Sequence, residues 1–220
     1  VTVWPSSVEE LIDVQRALAG ESDPPWRYAA ETPAGGCFVC FERGLRAPGG
    51  EGDRAWAAAS LAGSIAIIEG AARASYRAGL LALREGELLE RAVRALQRRP
   101  EVLLVDATGR DHPRRAGLAL HLGAVLGIPT VGVTHRPLLA RGDWPVDEIG
   151  ARSSLLLDEE VVGHWLRTRR GCRPLAVRAA WRTDPETAVE VVLASLGRAR
   201  APEPLREARR AARTARAEAR

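Results

Sequence analysis

Apolar residues in this chain gather in short unbroken runs and in longer stretches with a helical period, and the two patterns follow a readable order. Residues 36–41, 55–61 and 65–71 are apolar runs joined by Gly-containing connections, which predicts three successive strands in an antiparallel meander. Leu80, Leu81, Leu83, Leu88, Leu89, Ala92, Val93 and Leu96 then fit a helical period, so a helix is expected up to Pro100. Residues 102–105 are wholly apolar and lie between two helical stretches, the mark of a central strand in the parallel part of a sheet. A helix over 116–126 and a strand over 130–134 follow. The order βββαβαβ predicts an α/β fold, a mixed five-stranded sheet with flanking helices. Residues 154–157 and 161–167 read as a hairpin turning at Asp158 and Glu159, residues 175–178 as a last strand, and 184–196 as a helix capped by Thr183. At the other end, Ser6 or Ser7 caps a first helix with Glu9 or Glu10 placed for a capping box, and Gly20 stops it. A Pro-rich linker covers 23–33.

Composition narrows the class. With 220 residues, 46% hydrophobic and 27% charged, the chain has the make-up of one globular domain, and wholesale disorder is excluded. No apolar run approaches the roughly 20 residues of a membrane span, no secretory signal is evident, and three cysteines are too few for a disulfide framework. A cytoplasmic location without membrane contact is therefore expected. All 32 basic residues are Arg, and Lys, Asn and Met are absent, a bias that a GC-rich genome produces without any functional pressure. The net charge of +4 is concentrated at the end: residues 198–220 hold eight Arg against three Glu. Arg206, Arg209, Arg210, Arg213 and Arg220 recur at steps that share a helix face. This segment is set apart from a domain over 1–197. It reads either as a helix that grips phosphates or, more plainly, as a solvated terminal helix.

Three stretches carry candidate chemistry. Cys37 and Cys40 form a C-x-x-C, but residues three apart on a strand point to opposite faces, so they are read as core and not as a metal pair. Asp106 ends a buried parallel strand, where α/β sheets place their ligands, and Gly109, His112, Arg114 and Arg115 follow it. A carboxylate beside such cations suits a hard cation or a phosphate. Glu85 lies among Leu-rich helical positions and by itself reads as a surface residue.

Tyr76-Arg-Ala-Gly79 through Leu-Arg-Glu85 resembles the endonuclease V pattern P-Y-x-P-G-x-x-x-F-R-E. Val105-Asp-x-x-Gly109-x-x-His112-Pro-Arg-Arg115 resembles V-D-G-x-G-x-x-H-P-R-R, and Ile128-Pro-Thr-Val-Gly-Val133 resembles L-P-T-I-G-V. The similarity covers roughly residues 8–196 in order. It implies an RNase H-like fold and Mg²⁺-dependent (or Mn²⁺-dependent) phosphodiester hydrolysis in DNA repair, at the second bond 3′ to an inosine. The partner implied is DNA or RNA. By the same resemblance Asp106 and Glu85 match metal ligands, and Tyr76 matches the aromatic wedge that replaces stacking when a base is flipped. His112, Arg114, Arg115 and Arg136 are assigned to the nucleic-acid surface.

The departures bear on catalysis. Phe38 stands where the family's first strand carries a ligand Asp, Trp181 is aligned with a further metal-site His, and His135 with a catalytic Lys. Glu31 as a substitute acid is discounted because Thr32-Pro33 breaks the strand; Asp53 is a second substitute. A Phe at the ion's location dries it and raises the cost of a divalent charge. Weakened cleavage is expected, with a non-catalytic nucleic-acid-binding or interaction protein as the alternative.

Overall fold

A computed structural model describes residues 4–21, 25–29, 31–44 and 48–219; parts of the Pro-rich linker lie outside them. Strands β1 (Ala34–Phe41), β2 (Arg54–Leu61) and β3 (Ser64–Ala71) form the expected meander. Its second turn places Ala62 at φ 48° and Gly63 at φ 83°, the paired positive values that let a two-residue hairpin match strand twist. Strand β4 (Val102–Val105) pairs parallel with β1, and β5 (Thr130–Thr134) pairs parallel with β4. The sheet does not stop there. Strand β8 (Leu175–Ala179) pairs antiparallel with β5, and the hairpin β6 (Arg152–Leu157) and β7 (Glu160–Leu166) joins through it. The five expected strands thus form one contiguous side of an eight-stranded sheet, β3-β2-β1-β4-β5-β8-β7-β6, which continues beyond β5.

Alternating residues of the central strands face two cores. Leu103 and Val105 pack with helices α1 (Val8–Gly20), α2 (Leu81–Arg94) and α3 (Leu118–Leu126), while Val102 and Leu104 pack with α4 (Pro185–Ala194) and with Leu205 of α5 (Glu203–Glu218). Helix α1 starts as predicted: the Ser7 hydroxyl accepts the Glu10 N–H, and the Glu10 carboxylate reaches back to Ser6. The cap of α4 differs from the expectation. Asp184 accepts the Thr187 N–H at 2.7 Å, and Thr183 instead accepts from Ala180 N–H and donates to the Thr130 carbonyl. Pro185 at the first helical position fixes the cap one residue later.

The basic tail is not a solvated appendage. Leu205, Ala208 and Ala212 recur on one face of α5 and are buried against β1 and β2. Gly36 of β1 permits this approach, since a Cβ there would collide with the Pro204 backbone. Ser60 of β2 donates to the Pro204 carbonyl at 2.7 Å. Among the described residues no helix is long and apolar enough to cross a membrane.

Candidate functional site

Asp106 directly follows β4, at the end of the parallel strands where α/β folds expose their ligands. Its carboxylate is not free. Arg209 of α5 donates Nη2–H to Asp106 Oδ2 at 2.7 Å, and both side chains are 22% exposed. The ring of Phe38, on the neighbouring β1, lies beneath this pair: the Arg209 guanidinium is 5.2 Å and that of Arg213 5.6 Å from its centroid. Phe38 packs on the α5 face beside Cys40, Trp56 and Ala58, while Cys37 faces the opposite core, as expected for residues three apart on a strand. Glu85 reaches the same corner from α2. Burial pushes its carboxyl up to about 7; the Arg84 charge opposes that, and the Asp106 charge adds to it. His135, just beyond β5, is exposed at the rim. Desolvation, then the charges of Arg200 and Arg209, hold it below the usual imidazole range against the pull of Asp106. Asp106, Glu85, His135 and Phe38 are thus brought together.

A second group forms beside it. Tyr76, Gly79, Gln15, His112, Thr108 and Leu138 line a small cavity of about 60 Å³. His112 is buried and sits between two fixed partners: its Nε2 faces the Gly79 carbonyl at 3.1 Å and its Nδ1 accepts the Arg114 N–H at 3.2 Å. Nδ1 as acceptor leaves the proton on Nε2, and burial pushes the ring down to about 4, so it is neutral. The Arg114 guanidinium donates to Gln15 Oε1 at 2.6 Å and to the Gly79 carbonyl at 2.9 Å. It therefore clamps α1 to the Tyr76–Gly79 turn instead of standing free for a phosphate. Tyr76 is exposed, with its N–H held by the Gly49 carbonyl at 3.1 Å. Loop 136–140 closes the cavity: Asp111 accepts the N–H groups of Leu138, Leu139 and Ala140, and pairs with the wholly buried Arg178. Arg178 in turn donates to the Arg136 carbonyl at 2.6 Å, while the Arg136 side chain stays exposed.

Two expected site residues lie elsewhere. Trp181 is level with Thr130 at the start of β5, where Thr130 N–H donates to its carbonyl, and its Cβ fills the room left by Gly123 of α3. Asp106 lies past the other end of the parallel strands. Trp181 therefore does not line the Asp106 cleft, and the alignment that put it there is corrected. Arg115 turns away with φ 55° to donate to the Leu157 carbonyl and Asp158, and to pair with Glu160 at the β6–β7 turn. Its partner Glu160 lines a separate cavity with Trp181. Neither substitute acid is available: Asp53 is bound to Arg84 in a buried pair at 2.6 Å, and Glu31 lies in a turn outside β1.

Sequence reasoning missed Gln15, and it named Arg209 and Arg213 only as members of a basic stripe, without linking either to Asp106 or Phe38. The steps Leu205, Ala208 and Ala212 show that Arg209 borders a buried face, and that apolar stripe was the available signal.

The donor set does not fit a divalent ion. Mg²⁺ demands oxygen ligands from carboxylates, water and phosphate. Here Asp106 is engaged by a guanidinium, and an aromatic ring lies on the β1 side. Among the described residues no group of three His, Cys, Asp or Glu converges as a metal site.

A family model described as Endonuclease V matches residues 59–210. The endonuclease V of Geotalea uraniireducens is 44% identical over 61% of this chain and 58% of its own length. That of Nocardia farcinica is 43% identical over 68% of this chain and 66% of its own, so these matches span about three fifths of the relatives' length. The Trichormus variabilis protein is 31% identical over 93% of both chains. The crystal structure of the Streptomyces avermitilis enzyme superimposes with a TM-score of 0.83 at 31% identity, covering 98% of this chain and 96% of that one. Endonuclease V of Ciona intestinalis, in complex with a DNA containing an inosine, shares the fold with a TM-score of 0.78 at 19% identity, over 97% and 99% of the two chains.

Proposed function

Since this chain belongs to the endonuclease V family, we propose that it binds DNA or RNA carrying deaminated adenine and that its phosphodiester cleavage is weakened. The observation that carries this reading is a contrast within the site. The Tyr76–His112–Arg114 group forms a connected, polar-bonded wall around a cavity, whereas the Asp106 corner presents the Phe38 ring, under Arg209, where the resemblance calls for an acid. A base displaced from its stack needs a pocket with fixed hydrogen-bonding groups and an aromatic to fill the gap it leaves. His112, Gln15 and the Gly79 carbonyl fix the wall of such a pocket through their bonds to one another and to Arg114; exposed Tyr76 supplies the aromatic. The inosine-containing DNA bound by the Ciona relative supports the same ligand here. No step is routed through Mg²⁺, because the donor set does not suit it.

Fluorescence anisotropy with matched oligonucleotides, one holding inosine and one adenosine, tests the reading. Tighter binding of the inosine strand, reduced by Tyr76→Ala, is the expected result. Equal affinity for both strands, unchanged by Tyr76→Ala, would overturn it.

A further inference from the structure

We propose that Arg209 is the resident cation of this cleft: its guanidinium takes the place that a divalent ion would need beside Asp106 and offers donors that Asp106 leaves unused to a nucleic-acid phosphate, so that binding here is independent of metal. This rests on the nucleic-acid reading above.

Three observations converge on it. The first is position. Arg209 pairs with the one carboxylate that ends the central strand, at 2.7 Å, so an ion approaching Asp106 meets a fixed positive charge. The second is support. Arg209 is held over Phe38, the residue standing where the resemblance calls for an acid. A guanidinium stacks on an aromatic face and is weakly hydrated, properties that an Mg²⁺ ion lacks. The Phe at β1 and the Arg on α5 therefore suit one another and jointly disfavour a metal. The third is an incompletely used fork. Among the described residues the Arg209 guanidinium makes one hydrogen bond, from Nη2 to Asp106, and its side chain is 22% exposed, so donors remain for an anionic oxygen entering the cleft. Arg213, stacked on the same ring, and exposed Arg210 line the α5 groove beside it, where four Arg outnumber three Glu. The Arg side chain pairs with phosphate through its planar fork, and no proton, bond or electron changes hands in the binding step.

The account differs from simple loss of a metal. A lost site would leave Asp106 solvated and still able to attract cations. Here the counter-charge is covalently part of the chain, and α5 is locked onto β1 through Gly36 and Ser60.

The test uses the full chain in two measurements. Mn²⁺ binding is followed by electron paramagnetic resonance for the unmodified protein, Arg209→Met and Asp106→Asn. Binding of an inosine oligonucleotide is measured in EDTA and in Mg²⁺ at matched ionic strength. The unmodified protein is expected to take up no Mn²⁺ that depends on Asp106, and to bind the oligonucleotide equally in EDTA and Mg²⁺. Arg209→Met is expected to bind the oligonucleotide about tenfold more weakly in EDTA, a loss typical of one charged hydrogen bond, and to regain part of it with Mg²⁺. Mn²⁺ uptake by the unmodified protein that disappears in Asp106→Asn would overturn the proposal, even if Arg209→Met fails to fold. Unchanged affinity of folded Arg209→Met in EDTA would overturn it too. If no protein binds the oligonucleotide under any condition, the nucleic-acid reading fails, while the Mn²⁺ arm still decides whether Arg209 holds the cation's place.

Discussion

The two halves of the cleft are built on opposite principles. Around Tyr76, polar groups are matched to one another: His112, Arg114, Gln15 and the Gly79 carbonyl form one connected set across α1, the turn before α2 and the loop after β4. Around Asp106, groups are matched by charge alone, with one carboxylate, one guanidinium and an aromatic floor. A connected network resists single changes because each member leaves others unsatisfied. A charge pair at a rim tolerates exchange of its cation. Under the function proposed above, recognition and hydrolysis would rest on separate residues, so that one could diverge while the other is kept.

The largest expected effect comes from the element the two halves share. Asp111 holds loop 136–140 and is the carboxylate partner of Arg178, with both side chains fully buried. Asp111→Ala strands that guanidinium and three backbone N–H groups. Urea denaturation should show a loss of about 3–5 kcal/mol, the usual cost of breaking a buried pair, and both halves should fail together. A loss below about 1 kcal/mol would mean that the loop stands without its buttress.

Arg114→Met should separate the halves. It removes the donors to Gln15 and Gly79 while leaving the Asp106 corner intact. Inosine discrimination should fall about tenfold, equal to roughly 1.4 kcal/mol, with the EDTA dependence unchanged. Loss of affinity without loss of discrimination would show Arg114 acting on the backbone after all.

Glu85 gives a pH test of the Asp106 corner. Burial pushes its carboxyl from the ordinary 4.5 up to about 7 in the folded state, so the native state holds more protons between those values. Stability from this group is present at low pH and is lost as pH rises from about 4.5 to about 7. Glu85→Gln should therefore be relatively more stable than the unmodified chain at pH 8 than at pH 4, by an amount on the order of 1 kcal/mol for a partly exposed side chain. Parallel stability curves for the two proteins would place Glu85 in solvent and away from Asp106. A smaller effect is expected at the margin: Arg213→Gln should flatten the slope of log affinity against log salt by roughly 0.7–0.9, one phosphate contact.

Most of the fold was legible because its signals are local. The apolar runs of β1 to β5, the cap of α1 and the turn at Asp158–Glu159 are each decided by neighbouring residues. What was not legible depended on pairings between distant segments. The extension of the sheet through β8 rests on a strand meeting β5 some forty residues later. Trp181 was misplaced because its position relative to Asp106 depends on which end of an antiparallel strand it follows, which spacing alone does not give. The site was legible in part. Asp106, Glu85, Phe38 and His135 meet as the motif order implied, and Tyr76 lies by His112. Arg115 was lost to a turn by its positive φ. Arg209 was hidden because a stripe of identical side chains does not say which one faces a carboxylate 103 positions away.

The separation of recognition from hydrolysis is tested most directly by a single-turnover nicking assay on an inosine-containing oligonucleotide, with protein in excess and Mg²⁺ present. The account predicts that the unmodified chain holds the oligonucleotide almost fully bound and leaves it almost fully intact, with Asp106→Ala indistinguishable in nicking. Robust Mg²⁺-dependent nicking by the unmodified chain, abolished by Asp106→Ala, would contradict it and make Asp106 a working metal ligand in spite of Phe38 and Arg209.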